Sequence, residues 1–170
     1  SPVGTDLQRG DAYFIASPAN YTQRYLYRAK LFGNGEVERV TPVGQDGQHS
    51  YQMSPTGEWA VHTFSNAATP PVIDMVAFPK HTSVRIIEDN AKAKAQYAAL
   101  EVNAKEFVKA HSGDLTLDAW IIKPRGFDPS KKYPVIIEVY GEPASATVQD
   151  VWGGGDLWQQ YMANQGYLVI

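Results

Sequence analysis

Short runs of alternating apolar and polar residues fill the chain from residue 11 to about residue 88. The runs "AYFIAS" (12–17) and "RYLYRAKL" (24–31) flank a polar loop, and "EVERVT" (36–41) follows the turn residues "GNG". Alternation with a period of two is typical of half-buried strands, and glycine-rich turns between such runs favour hairpins. The chain is therefore predicted to begin with a β meander.

The same pattern recurs over the next forty residues or so, in four further runs separated by turn signals. They are "HSYQMS" (49–54), "EWAVHTFS" (58–65), "VIDMVAF" (72–78) and "SVRIIE" (83–88). Two self-similar units of about 40 residues, with three or four strands each, are typical of β-propeller blades. A small sandwich is the alternative, and two blades cannot close a ring that needs about four.

The pattern changes at residue 89. Asp89 and Asn90 are predicted to cap a helix in the alanine-rich segment that follows, which contains neither glycine nor proline. The runs "KEFVKAH" (105–111) and "LTLDAWIIK" (115–123) are separated by a Ser-Gly-Asp turn and predict a hairpin.

The segment "KKYPVIIEVYGEP" (131–143) contains an apolar run over residues 135–139, interrupted by one glutamate. Such a run predicts a strand that is buried on both faces. Tyr140 would then lie where the strand ends, because Gly141 and Pro143 force the chain to turn. In open α/β sheets this rim is where ligands bind.

A glycine loop and a helix are predicted next, with Asp156 as the N-cap and Gly166 as the stop. The final "YLVI" predicts a second strand, so that strand, loop, helix and strand form the opening of a crossover in a parallel sheet. A parallel sheet needs more strands and helices to cover both faces. The chain is therefore predicted to be a segment of a longer protein.

The predicted fold class is mixed, with antiparallel meanders like propeller blades followed by the first strands and helix of an α/β sheet. Residues 1–90 are assigned to the last blades of a β-propeller and residues 91–114 to a connecting helix and strand. Residues 115–170 are assigned to the truncated N-terminal part of an α/β domain.

Composition and charge argue against several classes of function. The formal net charge of −3 gives no strong case for nucleic-acid binding, which needs a concentrated basic face. The absence of cysteine excludes disulfides, thiolate metal sites and a cysteine nucleophile. No apolar stretch approaches the length of a membrane span, and the first residues lack the features of a signal peptide.

Motifs for familiar chemistry are scarce. The sequence contains no G-x-S-x-G stretch, the usual site of a nucleophilic serine on an α/β sheet. His49, His62, His81 and His111 are widely spaced, so each is interpreted as an ordinary strand or turn histidine rather than a ligand. Gly153–Gly155 lacks the Lys-Ser/Thr of a phosphate loop. No metal site and no cofactor are predicted.

Tyr140 is the candidate for catalysis. A phenol at the end of a central strand can donate its O–H to an oxyanion above the sheet, and one such donor stabilises a transition state by about 3 kcal/mol. The alternative is a rim tyrosine that packs and hydrogen-bonds to backbone, which composition alone favours.

Four stretches together resemble the dipeptidyl peptidase IV branch of the prolyl oligopeptidase family. They are "MSPTGEWAVHTFSNAATPP" (53–71), "RIIEDN" (85–90) with the helix after it, "LDAWIIKPRGFDPSKKYPVIIEVYGEP" (117–143) and "WGGGDLWQQYMANQGYLVI" (152–170). The resemblance implies a β-propeller followed by an α/β-hydrolase domain that cleaves short peptides, often after proline. The truncated α/β domain would then be the start of that hydrolase.

Family members typically carry Tyr-Gly-Gly-Pro or Tyr-Ala-Gly-Pro where this chain has Tyr140-Gly141-Glu142-Pro143. The resemblance implies that Tyr140 is the side-chain donor of the oxyanion hole, and Glu142 departs from the family's glycine. It also implies that the serine, the acid and the histidine of the triad lie beyond Ile170. The chain alone is therefore predicted to be inactive, and the substrate-binding residues are unknown.

The implied function is a part in a serine exopeptidase that releases N-terminal dipeptides after proline or alanine by acyl transfer. Peptides would be its substrates, and related bacterial enzymes suggest a location in the periplasm or cell envelope. The alternative is a non-catalytic β-rich module that binds a protein or a glycan. Unpaired sheet edges predict that the isolated segment associates with itself or swaps elements.

Overall fold

The computed structural model describes residues 1–100, 102–142, 146–153 and 156–170. The chain divides into two compact units. The first unit contains residues 1–91 and 150–152, and the second contains residues 92–149 and 153–170. Within the described parts of the chain, no helix is both long and apolar enough to cross a membrane.

The first sheet is an antiparallel meander in the order β1-β2-β3-β4. Its strands are β1 (Pro2–Asp6), β2 (Asp11–Ala16), β3 (Tyr25–Lys30) and β4 (Glu38–Arg39). The predictions of β2 and β3 are confirmed, and the third predicted run is a strand over only two residues. β1 was not predicted, because its sequence "PVGTD" has no alternation, yet it pairs with β2 from Pro2 to Asp6.

The second sheet is a meander in the order β5-β6-β7-β8. Its strands are β5 (Gln48–Met53), β6 (Trp59–Asn66), β7 (Thr69–Ala77) and β8 (Thr82–Glu88). All four predicted runs are confirmed as strands. The two repeats are thus two antiparallel four-stranded meanders, as the alternation indicated.

The two sheets of the first unit share one hydrophobic core. Tyr13 and Leu26 of the first sheet pack with Ala60, Val76 and Phe78 of the second, and all five are buried. The rings of Tyr13 and Phe78 lie 4.9 Å apart between centroids. Apolar side chains on alternate positions of both sheets therefore meet face to face.

The segment Asp150–Trp152 belongs to the first unit although it is distant in sequence. The Asp150 carboxylate accepts hydrogen bonds from Gln23 Nε2 and from the backbone N–H of Ala67, both at 2.8 Å. Its own N–H donates to the Thr22 carbonyl at 2.8 Å. These three bonds attach the segment to the β2–β3 connection of the first sheet and to the β6–β7 turn of the second.

Within its described residues, the second unit contains one mixed sheet and two helices. The elements are α1 (Ala91–Ala98), β9 (Lys105–Ser112), β10 (Leu115–Ile122), β11 (Val135–Ile136), α2 (Leu157–Asn164) and β12 (Leu168–Val169). The sheet order is β11-β12-β10-β9. The predicted β9–β10 hairpin is confirmed, and β11 pairs in parallel with β12 across the connection that contains α2.

The helix ends follow the sequence signals in part. The Asp89 carboxylate accepts a hydrogen bond from the N–H of Ala91 at 2.9 Å, as predicted for a cap. The side-chain Nδ2 of Asn90 donates to the Pro71 carbonyl at 2.7 Å, and no hydrogen bond from the start of α1 to its Oδ1 is found among the described residues. Gly166 ends α2 with a φ of 93°, and its N–H bonds to the Ala163 carbonyl at 2.9 Å.

Asp156 lies where the N-cap of α2 was predicted, but its side chain makes no capping hydrogen bond. Its carboxylate instead pairs with Lys105 Nζ at 2.5 Å. An ammonium partner therefore takes the acceptor that a helix N-terminus would otherwise use.

The prediction that residues 135–139 are buried on both faces is wrong. β11 is the edge strand of its sheet within the described residues, with β12 on one side only. Ile137 and Val139 are 72% and 81% exposed. An apolar run is buried only where other elements cover it, and no described element packs over these side chains.

Candidate functional site

Tyr140 lies just beyond the backbone ladder between β11 and β12. The N–H of Ile170 donates to the Ile136 carbonyl at 2.9 Å, and the N–H of Glu138 donates to the Ile170 carbonyl at 2.7 Å. The ladder therefore fixes the backbone to within two residues of Tyr140. The strand that precedes the tyrosine is an edge strand here, where the sequence had predicted a central one.

The phenol of Tyr140 is accessible. Its side chain is 46% exposed, and its hydroxyl donates to Glu142 Oε2 over a long 3.4 Å. A weak contact of this length leaves the hydroxyl free to turn towards another acceptor. Pro143, which was expected to help turn the chain, lies outside the described residues.

The elements around Tyr140 are braced by polar contacts within the second unit. Gln159 on α2 donates to the carboxylate of Glu138 at 3.0 Å. Gln160, also on α2, accepts from the N–H of Asn103 at 2.7 Å and donates to the carbonyl of Asn103 at 2.9 Å. Helix α2 is therefore attached both to the strand before Tyr140 and to the segment before β9.

A second polar cluster, which we call the histidine network, lies in the first unit. It consists of His49 on β5, Tyr51 on β5, His62 on β6, Asp74 on β7 and His81 in the turn before β8. The three histidines and Asp74 are buried. The sequence interpretation of ordinary, separate histidines did not anticipate that three of them meet.

Two hydrogen-bonded chains build the histidine network. In one, Asp74 Oδ1 lies 2.8 Å from His62 Nδ1, and His62 Nε2 lies 2.9 Å from His49 Nδ1. His49 Nε2 lies 2.8 Å from the Gln45 carbonyl. In the other chain, the Tyr51 hydroxyl lies 2.8 Å from His81 Nε2.

Ring contacts join the two chains. The rings of His49 and His62 stack with centroids 5.2 Å apart, and Tyr51 stacks on His62 at 4.7 Å. His81 meets His62 edge-on at 4.8 Å. The three imidazoles are therefore close enough that charge on one opposes charge on the next.

Burial governs the ionisation of these rings. The pKa of His49 is lowered to about 4, mainly by desolvation and also by the neighbouring His62 and His81, while the hydrogen bond to the Gln45 carbonyl opposes the shift. Desolvation likewise lowers the pKa of His81 to about 4. The pKa of His62 is also lowered by burial, although the hydrogen bond to Asp74 opposes that shift. Burial raises the pKa of Tyr51.

The pairing register of β5, β6 and β7, had it been known, would have revealed part of this network. His62 lies directly opposite Asp74 in the β6–β7 pair, and Tyr51 lies opposite His62 in the β5–β6 pair. Reading the spacing of histidines along one strand for metal pairs could not show such cross-strand neighbours. Within the described residues, no group of three or more His, Asp or Glu side chains is arranged to hold a metal ion.

Comparison with known proteins agrees with these features. Residues 1–71 match the family model described as the dipeptidyl peptidase IV N-terminal region. The whole chain is 33% identical to "Probable dipeptidyl-aminopeptidase B" of Emericella nidulans and covers 19% of it. It is 30% identical to the protein of the same name from Ajellomyces capsulatus strain NAm1 / WU24, of which it covers 18%.

A solved structure is similar over almost the whole chain. The crystal structure of Porphyromonas gingivalis dipeptidyl peptidase 4 aligns with 99% of this chain at 29% identity and a TM-score of 0.88, and 23% of that protein is covered. The chain thus spans about a fifth of the length of the relatives it matches. Over its whole length, this chain is therefore similar to proteins of the dipeptidyl peptidase IV type.

Proposed function

We propose that this chain is a segment of a serine-type dipeptidyl peptidase. The observation that carries the proposal is the agreement of 99% of the chain, at a TM-score of 0.88, with a dipeptidyl peptidase 4. In the longer protein, residues 1–90 would form the last propeller blades and residues 91–114 a connection. Residues 115–170 would begin the α/β-hydrolase domain, an assignment supported by the parallel pairing of β11 and β12.

The proposed reaction is acyl transfer. A serine outside this chain attacks the carbonyl carbon of the scissile peptide bond, and a histidine takes the proton of the serine hydroxyl. The carbonyl oxygen becomes an oxyanion, which the Tyr140 hydroxyl stabilises by donating a hydrogen bond. The C–N bond then breaks, the protonated amine leaves, and water hydrolyses the acyl-serine to release a dipeptide that ends in proline or alanine.

Two features of the chain support this role for Tyr140. The ladder between β11 and β12 restrains the preceding backbone, so the phenol starts from a defined position. Its exposure and its long contact with Glu142 leave the hydroxyl available to an acceptor that forms above the strand end. A donor positioned before the reaction stabilises the transition state without reorganisation during the chemical step.

Hydrolysis of a Gly-Pro amide substrate tests the peptidase assignment. We expect the complete gene product to release the dipeptide, and the 170-residue chain to leave the substrate intact, because G-x-S-x-G is absent from its sequence. Liquid chromatography of the released dipeptide measures both. A complete product that is folded and does not cleave the substrate would contradict the assignment and favour a binding module.

Association of the isolated chain is a separate prediction. Every residue of β8 is exposed, and β8 and β11 are both edge strands within the described residues. An exposed apolar edge is a template for pairing with another chain. We expect light scattering to show dimers or larger species, and Ile86→Lys on β8 to shift them towards monomer. A wild-type chain that remains monomeric at high concentration would overturn this prediction.

A further inference from the structure

The histidine network connects the strands of the second sheet through side chains as well as through the backbone. His49, His62 and Asp74 link β5, β6 and β7 in one line of hydrogen bonds, each between 2.8 and 2.9 Å. His81 attaches the turn before β8 to Tyr51 on β5 at 2.8 Å. The peptidase chemistry proposed above uses none of these groups.

The number of protons limits the charge in the first hydrogen-bonded chain, which runs from Gln45 through His49 and His62 to Asp74. The Gln45 carbonyl and the Asp74 carboxylate at its two ends are acceptors, so its three hydrogen bonds need three protons. Two neutral imidazoles carry two. One additional proton would complete the chain as an imidazolium beside the Asp74 carboxylate, but burial opposes that charge on both rings. A second additional proton would place N–H against N–H between His49 and His62.

No carboxylate among the described residues is hydrogen-bonded to His81. Its Nε2 is bonded to the Tyr51 hydroxyl, which also contacts Thr41 Oγ1 at 3.2 Å. Asp74 is already bonded to His62, whose ring is 4.8 Å from that of His81. A charge on His81 would therefore be buried beside another imidazole with no counter-ion of its own.

The groups that face the three rings do not supply the missing negative charge. The Tyr25 ring lies 5.8 Å from His49 on the side of β3, and Arg39 on β4 adds a positive field that lowers the pKa of His49. Phe78 faces His81 with centroids 6.2 Å apart. Three imidazoles thus share one carboxylate, so two of three protons taken up in acid are uncompensated.

We propose that the histidine network is an acid-sensitive switch: it holds β5, β6 and β7 together in neutral solution and opens the second sheet selectively in mildly acidic solution. This inference goes beyond the peptidase assignment and involves different residues. It predicts a conformational response to pH that is confined to the second sheet.

The direction in which the stability of the second sheet changes with pH follows from proton linkage. Histidines of the unfolded chain take up protons near pH 6.5. Burial lowers the pKa of His49 and His81 to about 4 in the folded sheet, so the open state binds more protons between these values. The stabilisation is therefore complete above about pH 6.5 and is lost as the pH falls towards 4.

Hydrogen exchange followed by mass spectrometry on the complete gene product tests the switch. After correction for the intrinsic pH dependence of exchange, we expect protection of residues 48–77 to fall at least about tenfold between pH 7.5 and 5.0. Residues 105–122, which form the β9–β10 hairpin, serve as the internal reference and should keep their protection. Equal losses in both regions, or no loss in residues 48–77, would overturn the proposal.

Two variants distinguish protonation of the histidine network from protonation of a histidine elsewhere in the chain. His81→Gln removes one buried titrating group and should reduce the loss of protection in acid, while His111→Gln, on the exposed strand β9, should leave it unchanged. NMR titration of the imidazoles in the folded wild-type chain gives a second measurement that needs no variant. Values near 4 for His49 and His81 support the switch, and values near 6.5 in the folded state overturn it.

Discussion

Gly47→Ala is expected to destabilise the first unit by more than about 3 kcal/mol. Gly47 has a φ of +153°, a conformation that residues with a Cβ rarely adopt. A Cβ at this position would lie 2.3 Å from the Ser65 carbonyl oxygen and 2.9 Å from the Asn66 Cβ. Both neighbours belong to the paired strand β6, so neither can move without breaking the sheet.

The position of Gly47 makes this clash damaging. Its carbonyl accepts the N–H of Arg24 at 3.0 Å, and the strand β5 begins at the next residue. A shift of the backbone here disturbs both sheets of the first unit. Urea denaturation followed by circular dichroism measures the loss of stability.

Gly44→Ala is the matched control for Gly47→Ala. Gly44 also has a positive φ, of +88°, but a Cβ there would meet nothing within 4 Å. Gly44→Ala should therefore lower the free energy of unfolding only by the backbone strain, about 1 kcal/mol. Similar losses for the two variants would mean that strain, rather than the contact with β6, decides the effect.

Local alternation was sufficient to predict most of the strands. The runs that became β5 to β8 have alternating side chains and turn residues between them, so the pattern and the fold carry the same information. β1 lacks that pattern, and its place is set by pairing with β2, including a register shift between Pro2 and Gly4. A strand of this kind is determined by its neighbour rather than by its own sequence.

Burial and side-chain partners depend on the rest of the fold. The apolar run after Pro134 was predicted to be buried, but Ile137 and Val139 are exposed because only β12 lies beside their strand in the described structure. The carboxylate of Asp156 was predicted to cap α2, but Lys105 pairs with it. Lys105 is distant in sequence, so no local pattern indicated this competition.

The histidine network shows the same dependence on register. Each histidine alone is an unremarkable strand or turn residue, and the absence of ligand spacing said only that adjacent positions do not form a metal pair. Once His62 is placed opposite Asp74, the fold joins a carboxylate to two imidazoles. Tyr140 differs, because its position after a strand was predicted locally, whereas its catalytic role stays a prediction.

Tyr140→Phe in the complete gene product is expected to lower kcat by about a hundredfold or more. The substitution removes only the hydroxyl, so it deletes the proposed oxyanion donor and keeps the ring. The fold should be unaffected, because the side chain is half exposed and its hydroxyl makes, among the described residues, only the 3.4 Å contact with Glu142. Steady-state hydrolysis of a Gly-Pro amide gives kcat and KM separately.

Whether the substitution changes kcat or KM shows which interaction the Tyr140 hydroxyl makes. An interaction made only with the oxyanion lowers kcat and kcat/KM together, whereas a contact with the bound substrate raises KM. Tyr161→Phe, on the exposed side of α2, removes a hydroxyl from the same unit and should leave both constants unchanged. If Tyr140→Phe also left kcat unchanged, the tyrosine would be a packing residue of the strand end, and the oxyanion donor would have to come from another part of the enzyme.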